Sequence, residues 1–177
     1  MVATAFAGVA NSGVLTVNAG GFNINSGAAT GYAGAAAASV LRINAGGVVT
    51  ITNSGVSSLT TDSALAVDGG VLIMTNNTGA FTVGLNGNNN GAGFTNSGGT
   101  VIISQAFQSR GRFTRVAMNG GSLDLLSGGG IFESSNDQER QFLINGGTAN
   151  LGNFVVSRTV QTLASRWIGH QQRHSAT

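Results

Sequence analysis

A short motif built around a pair of glycines recurs along this 177-residue chain. Each copy reads apolar, any residue, apolar, Asn or Asp, an optional small residue, and then Gly-Gly. The first glycine of successive pairs stands at positions 20, 46, 69, 98, 120 and 146, at intervals of 22 to 29 residues. Repeats of this length are typical of solenoids, in which a unit too small to bury its own apolar face stacks on its neighbours.

Apolar residues alternate with other residues on both sides of each glycine pair. Ahead of the Asn or Asp they occupy the third and first positions, as Leu41 and Ile43 do. Beyond the pair they occupy the second and fourth positions, as Val49 and Ile51 do. Alternation with a period of two indicates a strand with one buried face. Each unit therefore reads strand, corner, strand.

The glycine pair is the predicted corner. Glycine enters left-handed backbone space without a Cβ clash, and Asn or Asp tolerates the same region and bonds its own turn. The predicted structural corner residues are Asn18, Gly20, Gly21, Asn44, Gly46, Gly47, Asp68, Gly69, Gly70, Asn119, Gly120, Gly121, Asn145, Gly146 and Gly147.

Two copies are irregular. In the first copy, Phe22 and Ile24 follow the glycines one residue early. In the fourth copy, Gly93 and Thr95 stand where the two leading apolar residues are expected. The pattern therefore predicts local departures at these two units.

The repeat predicts an all-β chain folded as a parallel β-helix, or β-solenoid, of about six coils of about 25 residues. Strands of successive coils would pair in parallel about 4.8 Å apart. Residues 81–85 are the clearest candidate for a third strand in a coil. We expect residues 1–157 to form the repeat domain, as a fragment of a longer solenoid, and residues 158–177 to form a separate tail.

Composition leaves two fold classes to compare. The chain has 29 glycines, and only 8% of its residues are charged, against roughly 25% in ordinary soluble domains. Low-complexity disorder is one interpretation, but disordered segments carry few β-branched residues and a high net charge. Here Val, Ile and Thr are abundant and the formal net charge is +2. The composition therefore favours the β-solenoid.

Several classes of site are excluded or disfavoured by residue content. The chain has no cysteine, which excludes disulfides and thiolate metal sites. Its eight basic residues are all Arg and are dispersed, so a nucleic-acid footprint is not supported. No apolar run approaches the ~20 residues of a membrane helix. We therefore expect no cofactor, no nucleic acid and no membrane insertion.

The repeated Asn or Asp invites two interpretations. In a regular coil these residues, at positions 18, 44, 68, 96, 119 and 145, would lie one above another. Their amides would then form a hydrogen-bonded ladder along the solenoid. The alternative is a row of ligand-binding amides, as a flat ice- or glycan-binding face would need. Because the Asn is tied to the corner, the ladder is favoured.

Three arginines are candidate ligand contacts. Arg110, Arg112 and Arg115 are interleaved with Phe107 and Phe113, and such a pattern can bind sugars, phosphates or acidic surfaces. The alternative is a solvated outer face whose aromatic residues point inward.

Two other segments carry charge. Residues 127–140 contain clustered carboxylates, which can bind a hard cation but match no calcium loop and are expected to be solvated. Residues 158–177 show apolar residues at helical spacing, and two interpretations stay open: a helix that caps the last coil, or a tail unrelated to the repeat. His170 and His174 lie four residues apart there, but no third ligand is evident, so no metal site is predicted.

The repeat resembles a known family. The stretches 116–125 (VAMNGGSLDL) and 142–151 (FLINGGTANL) are similar to the autotransporter-associated β-strand repeat. The resemblance spans roughly residues 14–157. It implies a bacterial surface or secreted protein with a right-handed parallel β-helix, and it implies no catalytic residues, because the repeat carries none.

The expected function is structural. We expect a segment of an extracellular or outer-surface bacterial β-helix that acts as a stalk, spacer or adhesive surface, and not an enzyme. The alternative is a polysaccharide-binding or polysaccharide-degrading β-helix. A glycan or a host or cell-surface component is the expected partner, and open sheet edges at the ends would favour end-to-end self-association.

Overall fold

A computed structural model of the chain describes residues 2–5, 8–27, 30–60, 62–84, 91–110, 113–126, 130–133, 141–153 and 155–157. Residues 2–5, 130–133 and 155–157 are described by their backbone alone. Within these residues the chain forms eighteen β-strands and no helix. The strands are β1 (Val2–Ala5), β2 (Val9–Asn11), β3 (Val14–Val17), β4 (Gly20–Asn25), β5 (Tyr32–Gly34), β6 (Val40–Asn44), β7 (Gly47–Thr52), β8 (Ser57–Leu59), β9 (Ala64–Asp68), β10 (Val71–Thr75), β11 (Phe81–Val83), β12 (Gly93–Ile103), β13 (Phe107–Ser109), β14 (Arg115–Asp124), β15 (Gly130–Glu133), β16 (Gln141–Ile144), β17 (Thr148–Asn150) and β18 (Val155–Ser157).

The strands form three parallel ladders. The first ladder precedes the glycine corner and joins β3, β6, β9, β12, β14 and β16. The second follows the corner and joins β1, β4, β7, β10, β12, β14 and β17. The third joins β2, β5, β8, β11, β13, β15 and β18. Since each strand pairs with the strand one turn away, the predicted all-β parallel solenoid is confirmed.

The number of turns differs slightly from the prediction. Four turns have described side chains at all three strand positions, at residues 14–34, 40–59, 64–83 and 93–109. Strands β1 and β2 lie before these turns, and β14 to β18 extend the ladders after them. The predicted third strand near Phe81 is confirmed as β11. The helix considered for residues 158–177 lies outside the described residues.

The interior is a stack of apolar side chains in register. In the first ladder Leu41 pairs with Leu65, and Leu65 pairs with Phe94, and all three side chains are buried. The Phe94 ring centroid lies 6.1 Å from that of Phe81 and 6.0 Å from that of Phe107, both on the third ladder, and those two centroids are 5.6 Å apart, all in edge-to-face geometry. Such aromatic pairs contribute about 0.5–1.5 kcal/mol each beyond their buried area. The three rings therefore join two faces of the solenoid at its middle turns.

Several of the other corners also use left-handed residues, but these are not all glycines. Asn53 (φ 49°) and Asn76 (φ 56°) lie between the second and third ladders. Ala38 (φ 62°) and Asp62 (φ 51°) lie between the third ladder and the next turn. Asn and Asp adopt this region at lower cost than most residues, so two of the three corners need no glycine pair.

The fourth copy of the repeat departs from the predicted alignment. Gly93 and Thr95 stand at the motif positions that face the interior in the other copies, and the structure shifts the interior positions of this copy by one residue, to Phe94 and Asn96. Phe94 continues the apolar stack, and Asn96 pairs with Val67. Asn96 is fully buried, so this copy places a polar side chain where its neighbours have an apolar one.

The first copy absorbs its irregularity at the corner. Strand β4 pairs with β7 such that Gly20 lies opposite Gly47 and Phe22 lies opposite Val49. Ile24 then lies opposite Ile51. The apolar rows therefore stay in register, although the first copy has one residue fewer around its corner.

Candidate functional site

The six glycine corners share one backbone requirement. In each corner one glycine has a positive φ, a region that costs an L-residue with a Cβ roughly 1–2 kcal/mol. It is the first glycine of the pair in the first four copies and the second glycine in the last two. These residues are Gly20 (φ 82°), Gly46 (84°), Gly69 (85°), Gly98 (128°), Gly121 (73°) and Gly147 (82°).

In the second, third and fourth copies the other glycine of the pair is required for space. A Cβ on Gly70 would lie 2.6 Å from the Asn44 carbonyl oxygen. A Cβ on Gly47 or Gly99 would come still closer to a carbonyl oxygen of the preceding turn. By contrast, a Cβ on Gly120 would meet no atom closer than 3.6 Å, because Gly121 makes the close approach in that copy. The pair thus satisfies a torsional and a steric requirement, and the register decides which glycine meets which.

Asparagines beside the corners bond from one turn to the next. Asn44 Nδ2 donates to Asn18 Oδ1 at 2.7 Å. Asn145 Nδ2 donates to Asn119 Oδ1 at 2.8 Å. In both rungs the later turn donates to the earlier one, so the amides are aligned in one direction along the solenoid. These are rungs of the kind that the ladder interpretation predicts.

The ladder does not run through the middle turns. Asp68 instead forms an ion pair with Arg42, with 3.2 Å between the nitrogen and the oxygen. Both side chains are so exposed that this pair contributes no more than a fraction of a kcal/mol to the stability of the fold. Asn96 lies inside the solenoid, where its Oδ1 accepts from the Gly99 amide at 2.8 Å and its Nδ2 donates to the Ser122 carbonyl at 3.0 Å. The prediction that Asn96 continues the ladder is therefore wrong, because its side chain ties two corners together from within.

The carboxylates of Asp62 and Asp124 accept hydrogen bonds from other groups of the chain. Asp62 Oδ1 accepts from the Gly91 amide at 2.7 Å. Asp124 Oδ1 accepts from the Leu126 amide at 2.9 Å and from Asn150 Nδ2 at 3.1 Å. Among the described residues, no three His, Asp or Glu side chains are grouped as a metal site would need. The cluster predicted at residues 127–140 and the pair His170 and His174 lie outside the residues whose side chains are described.

Two of the three candidate arginines, Arg110 and Arg115, flank the corner that joins β13 to β14. Arg110 follows β13, is half-buried, and donates its backbone amide to the Val83 carbonyl at 3.0 Å. Arg115 begins β14 and is exposed. Arg112 lies outside the described residues. Arg110 and Arg115 lie on opposite sides of the corner between β13 and β14, so they do not share one strand face.

A buried tyrosine was not anticipated from the sequence. Tyr32 begins β5 and is 1% exposed, and its hydroxyl accepts from Asn11 Nδ2 at 3.0 Å. Asn11 Nδ2 also donates to the Val40 carbonyl at 2.9 Å. Burial raises the pKa of the Tyr32 hydroxyl, and the Asn11 hydrogen bond opposes the rise in part. The tripeptide Asn-Ser-Gly, which begins at position 11 and recurs elsewhere, is the signal that could have indicated this turn.

Two buried polar side chains among the described residues, Ser39 and Gln105, have atoms without a hydrogen-bond partner, and Gln105 has two of them. Gln105 lies between β12 and β13 and is 7% exposed. Neither its Nε2 nor its Oε1 has a hydrogen-bond partner. A buried polar group without a partner lowers the stability of a fold by about 1–3 kcal/mol. We therefore expect Gln105 to destabilise the fourth turn.

Comparison with known proteins does not assign this chain to a family. No protein-family model, no curated protein and no solved structure matches the chain. Among the described residues there is also no helix of the length and apolarity that crossing a bilayer requires. The fold and the internal contacts are therefore the basis for a functional proposal.

Proposed function

We propose that the chain is a structural or adhesive segment of an extracellular bacterial β-helix protein, in which it acts as a stalk, spacer or surface-interaction module. The observation that carries the proposal is that the repeated motif makes the contacts between successive turns. Its Asn side chains form rungs between turns, and its glycines let successive turns approach closely. The resemblance of the motif to the autotransporter-associated β-strand repeat supports a bacterial surface location.

The geometry suits a spacer for a mechanical reason. Each turn is bonded to the next by three parallel ladders, and each turn adds about 4.8 Å of length. The two described rungs are neutral amides, so turn-to-turn contact depends little on pH or salt. A segment of this kind holds two flanking domains at a fixed separation.

Single-molecule force spectroscopy of the full chain between two handles tests the spacer role. A turn of about 25 residues extends to about 85 Å when unfolded. We therefore expect discrete unfolding events whose length increments are multiples of one turn. Gly121→Ala should lower the unfolding force, and Gly120→Ala is its matched control. Featureless extension of the wild-type chain at low force would rule out a load-bearing spacer.

A glycan-binding face is the second candidate, and one observation favours it. Asn25, Thr52 and Thr75 lie side by side on successive strands of the second ladder, at the outward positions. Neutral hydrogen-bonding side chains at about 4.8 Å intervals could follow an extended sugar chain. The regular Thr-x-Thr array of a flat ice-binding face is not formed here, because Ile73 lies next to Thr50.

A glycan array probed with the full chain tests this second role. Saturable binding should weaken about tenfold in Thr52→Val, which keeps the shape of the side chain and removes its hydroxyl. Release of reducing ends from the bound polysaccharide would indicate a degrading enzyme instead. If no glycan binds, or if Thr52→Val binds equally well, the outward polar row is not a glycan site.

A further inference from the structure

The corner between β10 and β11 contains the chain's one Asn-x-Ser or Asn-x-Thr sequence, Asn76-Asn77-Thr78. This tripeptide is the acceptor sequence for N-linked glycosylation, in which a sugar is attached to the side-chain amide of the first residue. The sequence is short, so it marks an acceptor only where the fold presents it at the surface. All three residues are described, and their contacts can be compared with what a glycosyltransferase needs.

This corner is longer than the corners on either side of it. Five residues, 76–80, connect β10 to β11, whereas four residues, 53–56, form the same corner one turn earlier and three, 104–106, form it one turn later. Strands β10 and β11 are both paired in register with the strands of the two neighbouring turns. The additional residues therefore lie farther from the solenoid axis, at the surface.

The middle residue of the tripeptide anchors it to the preceding turn. Asn77 Oδ1 accepts from the Ser54 amide at 2.9 Å, and Asn77 Nδ2 donates to the Ile51 carbonyl at 2.9 Å. The Thr78 amide donates to the Ser54 carbonyl at 2.8 Å. These bonds fix the backbone of the corner, so the positions of the residues on either side of Asn77 are defined.

The first and third residues of the tripeptide face solvent. Asn76 and Thr78 are both exposed, and Asn76 has φ 56°, a left-handed conformation that asparagine adopts at low cost. The Asn76 side chain makes no hydrogen bond to the described part of the chain. The Thr78 hydroxyl lies 3.4 Å from the Ser54 carbonyl oxygen, a long bond that a competing partner can replace. The amide that would accept the sugar and the hydroxyl that a transferase recognises are thus both accessible.

The same corner one turn earlier provides a comparison. Asn53 is also exposed and left-handed, with φ 49°. Its second neighbour along the chain is Gly55, which has no hydroxyl. Asn53 therefore shares the conformation and exposure of Asn76 but not the acceptor sequence, and the two residues separate the effect of sequence from that of exposure.

We propose that Asn76 is a glycosylation site, at which the folded chain accepts a sugar from a diphosphate-activated donor. In this reaction Asn76 Nδ2 forms a bond to the anomeric carbon of the sugar and releases one proton to solvent. The bond between that carbon and the donor's phosphate oxygen breaks, and the diphosphate leaves with the electron pair. The product carries a bulky, hydrophilic group on the outer surface of the third turn.

The fold can carry a sugar at this position without rearrangement. Asn76 lies outside the strands, and its side chain makes no hydrogen bond that the sugar would displace among the described residues. Glycosylation should therefore leave the three ladders unchanged. The proposal concerns a covalently attached sugar and does not depend on the spacer role or on glycan binding, so the failure of either role leaves it standing.

The test incubates the folded full chain with a purified transferase that recognises Asn-x-Thr and with a nucleotide-diphosphate hexose. Mass spectrometry that locates the sugar on the chain should find one hexose on Asn76 and none on Asn53. A synthetic peptide of residues 73–81, IMTNNTGAF, confirms that the transferase is active. A second arm with a membrane-bound transferase and a lipid-linked sugar distinguishes the two sources of the activated sugar, and modification of Asn76 in either arm supports the proposal.

Four variants of the chain test the assignment. Asn76→Asp removes the acceptor amide and keeps a residue that tolerates the left-handed conformation, so modification should be lost. Thr78→Val keeps the shape of the side chain but removes its hydroxyl, and should also lose modification, whereas Thr78→Ser should retain it. Asn53→Asp is the matched control and should be modified as wild type is.

Circular dichroism shows whether each variant is folded, and if Asn76→Asp or Thr78→Val is not folded, the location of the sugar on the wild-type chain decides the question. The proposal is overturned if the peptide is modified in both arms and the folded wild-type chain is modified in neither, because the corner then shields its acceptor sequence. It is also overturned if folded Asn76→Asp or folded Thr78→Val is modified as wild type is.

Discussion

Alanine substitutions at four neighbouring glycines separate the two reasons for the repeated glycine pair. Gly98 has φ 128° and open space around it, so Gly98→Ala introduces torsional strain alone. Gly99 has no positive φ, but its Cβ would lie within 3.0 Å of the Gly70 carbonyl oxygen, so Gly99→Ala introduces a clash alone. Gly121 meets both conditions, and Gly120 meets neither.

The expected losses of stability follow from these environments. Backbone strain at Gly98 costs about 1–3 kcal/mol. Overpacking at Gly99 costs about 1–3 kcal/mol, since the added Cβ meets the Gly70 carbonyl oxygen, a backbone atom that can yield little, as well as Val67 Cγ1. Gly121→Ala combines both and should cost about 2–5 kcal/mol. Gly120→Ala should be neutral or should stabilise the fold by about 0.4–1 kcal/mol, because it restricts the unfolded chain.

Urea denaturation followed by far-ultraviolet circular dichroism measures these differences. The midpoint should fall in Gly98→Ala and Gly99→Ala, fall furthest in Gly121→Ala, and hold or rise in Gly120→Ala. An unchanged slope with urea shows that the change is in stability and not in the extent of unfolding. If Gly120→Ala loses as much stability as Gly121→Ala, the assignment of roles within the pair is refuted.

Three further substitutions test the interior. Phe94→Ala removes the ring shared by two faces and should cost about 3–5 kcal/mol, while Phe113→Ala, at a side chain 54% exposed, should cost less than about 0.5 kcal/mol; equal urea midpoints would contradict the packing described. Gln105→Met replaces two unbonded polar atoms and should stabilise the fold by about 1–3 kcal/mol, so a lower midpoint would show that the amide is bonded in solution. Burial raises the pKa of Tyr32 above 10.0, so the unfolded chain loses this proton first, and stability should be full below about pH 10 and should fall as pH rises through the folded pKa. Because the chain has one tyrosine, tyrosinate absorbance reports this group directly, and Tyr32→Phe should abolish the alkaline loss; titration at the ordinary value would contradict the burial.

The solenoid was predictable because its strongest signals are local. Alternating apolar residues such as Leu41 and Ile43 recur at a fixed distance from a glycine pair, and both the strand period and the turn chemistry depend on the residues themselves. The sequence predicted a strand of the third ladder in one turn only, at residues 81–85. Its strands are three or four residues long, and Ser57 is buried in one of them, so hydropathy alternation does not identify it.

The side-chain contacts between turns depended on register, which the repeat spacing did not determine. Asn96 precedes a glycine pair as the corner asparagines do, yet it is paired with Val67 and lies inside. A polar residue at an interior position is tolerated when its hydrogen bonds are satisfied there, and Asn96 meets this condition through Gly99 and Ser122. The sequence pattern does not contain that information, because Ser122 is 26 residues away.

The stacked parallel register is tested most directly by one distance between spin labels. In the second ladder, the outward position runs through five register steps from Asn23 to Asn150, or about 24 Å at 4.8 Å per step. The chain has no cysteine, so Asn23→Cys and Asn150→Cys can be labelled specifically and measured by double electron–electron resonance. A narrow distribution centred near 24 Å, allowing for the label arms, is the predicted result. A broad distribution, or a narrow one far from this distance, would contradict the stacked solenoid.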